Sequence, residues 1–145
     1  MGDLAKDIQS RFNHDKIKAL INILYTANWL TNKQNAFFKS FDLSPQQYNI
    51  LRILKGAEKP LKAQTIKERM IERAPNATRL MDKLSAKKLI ERKPCDSDRR
   101  VVHVQITEKG LALLQTIPSD FNIHLLSKLT NDEAQQLSNL LDKLR

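Results

Sequence analysis

The stretch Cys95-Asp96-Ser97-Asp98-Arg99-Arg100-Val101-Val102-His103-Val104-Gln105-Ile106-Thr107-Glu108-Lys109-Gly110 reads as a polar, arginine-bearing turn, then a strand, then the start of a helix. Val101 to Ile106 is rich in β-branched residues, and Leu89 to Lys93 before the turn also has strand character, which predicts a short antiparallel hairpin. In the second strand Val102, Val104 and Ile106 share one face, and Val101, His103 and Gln105 the other, as a sheet with one side on a core requires. Asp96, Ser97 and Asp98 have short polar side chains that bond nearby backbone and suit the connecting loop. The tip is therefore exposed, with Arg99 and Arg100 projecting near it where a nucleic-acid groove can receive them.

Downstream, Thr107 is the expected N-cap of a helix, with Glu108 favoured in its first turn by the macrodipole. Leu111, Leu113, Leu114 and Ile117 follow, and Pro118 kinks or interrupts that helix. Upstream, Ser44-Pro45-Gln46-Gln47 combines an N-cap, a proline at the first helical position and a capping-box glutamine. The helix so started carries Tyr48, Leu51, Ile53 and Leu54 inward and is expected to end at Gly56. Pro60-Leu61 leads to a third helix, about Lys62 to Met70, and a turn at Ile71 to Ala74 leads to a fourth, Pro75 to Lys87. On the fourth helix Ala77, Leu80, Met81 and Leu84 gather on one side at helical spacing. Asn76, Thr78, Arg79, Asp82 and Lys83 occupy the other. Two short helices joined by a four-residue turn, the second polar and basic on its open face, form a helix-turn-helix.

Toward the termini, helical periodicity dominates. Ile17, Leu20, Ile21, Leu24, Ala27 and Leu30 predict a long amphipathic helix from about His14 to Phe38. Tyr25, Trp29, Phe37, Phe38 and Phe41 concentrate the aromatics in and just after it, as core and subunit contacts or as part of a ligand site. Phe121, Leu125, Leu126 and Leu129 resume the apolar pattern after Pro118. Thr130 with Glu133 makes another capping box, and Leu137, Leu140, Leu141 and Leu144 run as a stripe toward Arg145. Burying such a leucine-rich helix calls for a partner, most simply a second copy of the chain.

Composition narrows the function. A chain of 145 residues fits one domain with a sizeable core. The formal net charge of +9 points to a polyanionic partner, the alternative being a basic surface that serves solubility. Location favours the partner: between Lys62 and Arg100 twelve bases face six acids, so six of the nine excess charges sit in this one region. No apolar run approaches the roughly 20 residues that span a membrane, and Met1 to Arg11 lacks the apolar core of a signal peptide. The single cysteine cannot form an internal disulfide, so the chain is expected to be cytoplasmic. His14, His103 and His124 are too scattered for a metal site. There is no glycine-rich phosphate loop, nucleophile elbow or paired-carboxylate site, so neither a cofactor nor an enzymatic reaction is expected.

A basic helix-turn-helix followed by a hairpin with an arginine tip is a winged helix, and here the chain resembles the MarR family of bacterial transcriptional regulators. The residues that carry the resemblance are Thr78-Arg79-Leu80-Met81-Asp82-Lys83-Leu84, Leu89-Ile90-Glu91-Arg92-Lys93, Asp96-Ser97-Asp98-Arg99-Arg100 and Ile106-Thr107-Glu108-Lys109-Gly110. The resemblance implies a mainly α fold with a small antiparallel β-hairpin: a winged helix over 41–106 and a helical dimerisation region from 1–40 and 107–145. It also implies an obligate homodimer on palindromic double-stranded DNA, and a wing in which Asp98 braces Arg100, leaving Arg99 for the minor groove. Family members are often released from DNA by small aromatic or phenolic effectors or by cysteine oxidation. One departure stands out: the family carries glycine between the recognition helix and the first wing strand, where this chain has Lys88 followed by Leu89. Lysine is strained in the left-handed conformation, so this helix end is open to a different construction.

These readings yield a residue-level expectation. Arg79 offers its fork to guanine O6 and N7 in the major groove, with Asn76 and Thr78 on base edges or phosphates. Lys62, Lys83, Lys87, Lys88, Arg92 and Lys93 are placed as phosphate contacts or as plain solvated charges. An effector pocket is expected near Tyr25, Trp29 and Tyr48. Cys95, near Lys93, Arg99 and Arg100, is either a redox switch with a lowered pKa or an incidental surface thiol. The alternative function is a winged-helix protein-interaction module without specific DNA binding.

Overall fold

The computed structural model of the chain describes residues 1–72 and 75–145. Its elements are α1 (Leu4–Asp7), α2 (Asp15–Lys39), α3 (Pro45–Ala57), β1 (Leu61–Lys62), α4 (Ala63–Arg69), α5 (Ala77–Ala86), β2 (Ile90–Pro94), β3 (Val102–Ile106), α6 (Glu108–Thr116), α7 (Phe121–Leu125) and α8 (Asn131–Asp142). The fold is mainly helical with a small antiparallel sheet, as the sequence predicts. Of the turn read at Ile71 to Ala74, Arg73 and Ala74 lie outside the described residues.

Helix α3 is the spine of the winged helix, with Ile50, Leu51 and Leu54 fully or almost fully buried. It packs against α2, α4, α5, α6 and β3. Ile66 of α4, Ala77, Met81 and Leu84 of α5, and Ile90 and Val104 of the sheet close the core around it. Removing this much apolar surface from water, at roughly 25 cal/mol per Å², is what holds the winged helix together. On β3, Val104 is buried and Val102 and Ile106 pack against the same core, so the alternation read from the sequence holds. Phe37 and Phe38 of α2 meet Tyr48 of α3 and Phe121 of α7, with ring centroids 4.4 Å apart for Phe38 and Tyr48.

The capping box of α3 is present: Ser44 Oγ accepts from the Gln47 amide at 3.1 Å, and Gln47 Oε1 accepts from the Ser44 amide at 3.0 Å. That of α8 is present too, and the donors of Thr130, its amide before its hydroxyl, hold the Glu133 carboxyl below its ordinary pKa. His14 caps α2 through Nδ1, which accepts from the Lys16 amide.

The structure departs from the sequence reading at five points. The sheet has a third strand, in the order β1-β3-β2, with Leu61 opposite Val104 and Lys62 opposite His103. Lys62 is thus a strand residue and the N-cap of α4 rather than a helical one. Helix α3 runs past Gly56 to Ala57, and Glu58 takes the left-handed turn at φ 54. Helix α5 begins at Ala77 rather than Pro75, and α1, capped by Asp3, was not anticipated.

The end of α5 answers the question raised by the missing glycine. Lys88 itself takes the left-handed conformation, φ 59. Its amide donates to the Ser85 carbonyl at 2.9 Å and that of Leu89 to the Leu84 carbonyl at 3.0 Å, the paired bonds of a Schellman motif. The construction is the one glycine would give, with a lysine held in it. Thr107 locks the junction, its Oγ1 donating to the Lys88 carbonyl at 2.7 Å and its amide to the Leu89 carbonyl at 3.1 Å. Gly110 allows this close approach: a Cβ there would collide with the Leu89 carbonyl oxygen and stand 2.7 Å from Ile106 Cγ1.

Candidate nucleic-acid interface

Helix α5 presents its outward face because its inward face is committed. Ala77, Leu80, Met81 and Leu84 are buried, which turns Thr78, Arg79, Asp82 and Lys83 to solvent. Asn76 is the N-cap but makes no side-chain cap bond, so its amide group points to other uses. Lys62 is exposed at the end of β1.

The wing is the β2–β3 hairpin, paired from Ile90 opposite Ile106 to Pro94 opposite Val102. Pro94 is tolerated because β2 is an edge strand. The Cys95 amide donates to the Val101 carbonyl at 2.8 Å and the Val101 amide to the Asp98 carbonyl at 3.0 Å. Asp98 Oδ1 accepts from the Arg100 amide at 3.0 Å and lies 3.6 Å from Arg100 Nε. The Arg100 side chain is 95% exposed, so the ion pair adds little in water and the backbone bond does the bracing. Arg99 is exposed beside it. The Cys95 thiol is held below its ordinary pKa first by the Ser97 hydroxyl, 3.1 Å away, then by the backbone amides of Ser97 and Asp98. The direction matches the sequence reading, but its cause is hydrogen bonding and not Lys93, Arg99 or Arg100.

Two bases read as phosphate contacts are committed inside the chain. Lys87 Nζ lies 2.9 Å from Asp42 Oδ2 and also donates to the Asp42 carbonyl, which ties the end of α5 to the α2–α3 turn. Arg92 Nη1 lies 2.6 Å from Asp82 Oδ1, which joins β2 to α5. The pairings of Asp42 and Asp82 are not legible in the sequence because their partners lie 45 and 10 residues away, beyond any helical or strand period.

A cleft of about 380 Å³ opens between α2, α3 and the segment after α4. Tyr48, Arg52, Gln34, Ile71 and Glu72 line it, and Gln46 Nε2 donates to Glu72 Oε2 at 2.8 Å along its rim. Of the three residues expected around an effector, Tyr48 is there. Tyr25 and Trp29 are not: they stand exposed on α2, away from the cleft. Helical spacing alone does not separate the inner face of a long helix from a face awaiting a partner. Among the described residues no three His, Cys, Asp or Glu side chains gather as a metal site, and no helix is long and apolar enough to cross a membrane.

Three kinds of likeness bear on this geometry. The MarR family profile matches residues 43–102, the span from the start of α3 to the wing. The HTH-type transcriptional regulator MhqR of Bacillus subtilis (strain 168) is 31% identical over 120 residues, covering 79% of this chain and 81% of the relative. The transcriptional repressor MprA of Escherichia coli (strain K12) is 43% identical over 72 residues, 48% of this chain and 41% of that protein. A crystal structure of a mutant MarR from E. coli complexed with operator DNA superposes with a TM-score of 0.74 at 25% identity, covering 99% of both chains.

Proposed function

The chain belongs to the MarR family, and from that premise we propose that it is a sequence-specific DNA-binding transcriptional regulator: a homodimeric, ligand-responsive repressor of a palindromic operator. The observation that carries this reading is the exposed face of α5, with Thr78, Arg79 and Lys83, beside a wing whose Arg99 and Arg100 are both exposed. A relative that bears the name of a transcriptional repressor and a structural neighbour solved on operator DNA support it.

In this mechanism α5 enters the major groove. Arg79 reads guanine, Asn76 and Thr78 reach base edges or phosphates, and Lys62 and Lys83 contact phosphates that set register. Arg99 enters the minor groove while Asp98 braces the turn at Arg100. Lys87 acts indirectly, through Asp42, by fixing the end of α5. Residues 1–40 and 107–145 form the dimerisation region, and 41–106 the DNA-binding region. The cleft at Tyr48 and Arg52 takes a small aromatic or phenolic effector, whose binding alters the spacing of the two recognition helices. The protein works in the cytoplasm as a binding protein and catalyses nothing.

The test is a titration against palindromes selected from random DNA, at several salt concentrations. A palindrome preference and a steep fall of affinity with salt are expected. Arg79→Ala should cost about 1–3 kcal/mol on the best site and relax specificity at the positions it reads. Unchanged binding by that variant would remove Arg79 from the interface. Weak binding by the wild type, indifferent to sequence, would favour a protein-interaction module instead.

A further inference from the structure

Asp82 is the one acid on the open face of α5, exposed among Thr78, Arg79 and Lys83. A carboxylate directed at a duplex is repelled by its phosphates, so this residue calls for a reason other than charge. The structure supplies one in Arg92 of β2, whose Nη1 stands 2.6 Å from Asp82 Oδ1. Only Lys87, Lys88 and Leu89 connect α5 to β2, and Lys88 turns the chain there in a left-handed conformation. The pair therefore closes across a three-residue link. It lies outside the core: Asp82 is three residues from the exposed Arg79 on the same helix, and Arg92 belongs to the first strand of the wing.

Resting on the DNA-binding reading, we infer that the Asp82–Arg92 pair is a positioning strut that sets the wing against the recognition helix. Neither residue reads DNA. Asp82 holds Arg92, and through it the β2 strand, at the angle that lets Arg79 and Arg99 reach adjacent grooves together. The pair also lowers unspecific affinity, since each member masks the other's charge. Specificity is thus gained twice from one contact.

The experiment compares wild type, Asp82→Asn, Arg92→Ala and the double variant on the selected palindrome and on unrelated duplex. Each single variant should lose about five- to tenfold on the palindrome, and the double variant no more than either, as expected of residues acting as one unit. Asp82→Asn should bind unrelated duplex more tightly, because it unmasks Arg92. Adding Arg99→Ala to Asp82→Asn should cost less than Arg99→Ala costs alone, whereas the cost of Arg79→Ala should persist. A strut in general folding would weaken all of these equally and lower the melting temperature, which separates the two roles.

The inference is overturned if Asp82→Asn binds the palindrome as well as wild type or better. It is also overturned if Arg92→Ala in the otherwise wild-type chain lowers the salt slope on the palindrome by about 0.9, the pattern of a phosphate contact. Should Asp82→Asn fail to fold, the Arg92→Ala and Arg99→Ala cycle carries the same test. A wild type without palindrome preference would instead overturn the DNA-binding reading, so the two failures are distinguishable.

Discussion

Lys88 holds φ 59, a conformation in which a Cβ crowds the backbone and glycine does not. The paired bonds of the helix end and the Thr107 lock hold it there. Lys88→Gly should therefore stabilise the fold by about 0.5–1 kcal/mol, the strain relieved exceeding the entropy that glycine adds to the unfolded chain. A melting temperature that falls would show that the lysine stem contributes packing of its own. Cys95 poses a different question, because its thiol is acidified by the Ser97 hydroxyl and neighbouring amides rather than by cations. Its alkylation by iodoacetamide should have a pH midpoint below the usual 8.5 or so of a free thiol. Salt should leave that midpoint nearly in place, since a short hydrogen bond is not screened as an ion pair is. Ser97→Ala should move it upward, and a midpoint that instead rises steeply with salt would return the cause to Arg99 and Arg100. At this scale the sequence located the residues of interest and only the near partner, Asp98 of Arg100: Arg79, Arg99 and Arg100 stand exposed as read, whereas Lys87 and Arg92 are engaged with Asp42 and Asp82.

Elements were legible where a local signal marks them. Ser44 with Gln47 and Thr130 with Glu133 are pairs three residues apart, and both capping boxes form as read. Strand β3 was legible because five residues alternate against one core, and Pro118 does separate α6 from α7. Strand β1 was not, since two residues cannot display a period and Leu61–Lys62 is specified only by its pairing with Val104 and His103. Helix ends were misjudged for the same reason. Gly56 permits a left-handed turn but does not compel one, and the chain turns at Glu58 instead. The wing thus rests on three strands and on the Thr107 lock, a firmer base than a lone hairpin, which is marginal in water. A firm base is what a strut between α5 and β2 needs to transmit angle rather than bend.

At the scale of the molecule the winged helix buries its core, while the flanking helices leave theirs open. Leu20 and Leu24 on α2 are 57% and 63% exposed, as are Leu140 and Leu144 at 63% and 70% near the C-terminus. No residue of α8 is buried. Apolar surface of this extent on ordered helices belongs against a partner, and two-fold pairing of identical chains through α2 and α8 would cover both stretches at once. Pairing also fixes the distance between two α5 helices, which must match half-sites about 34 Å apart on one face of a duplex. Leu140→Asp places a charge in that contact without touching the winged helix. It should sediment as a monomer and lose about a hundredfold or more on the palindrome, because the second half-site is no longer delivered at high effective concentration. Its affinity for a single half-site duplex should stay close to that of the wild type, since α5 and the wing are intact. A variant that remains dimeric would place the contact on another face, and one that loses half-site binding too would show that α8 supports the DNA-reading surface as well as joining two copies of it.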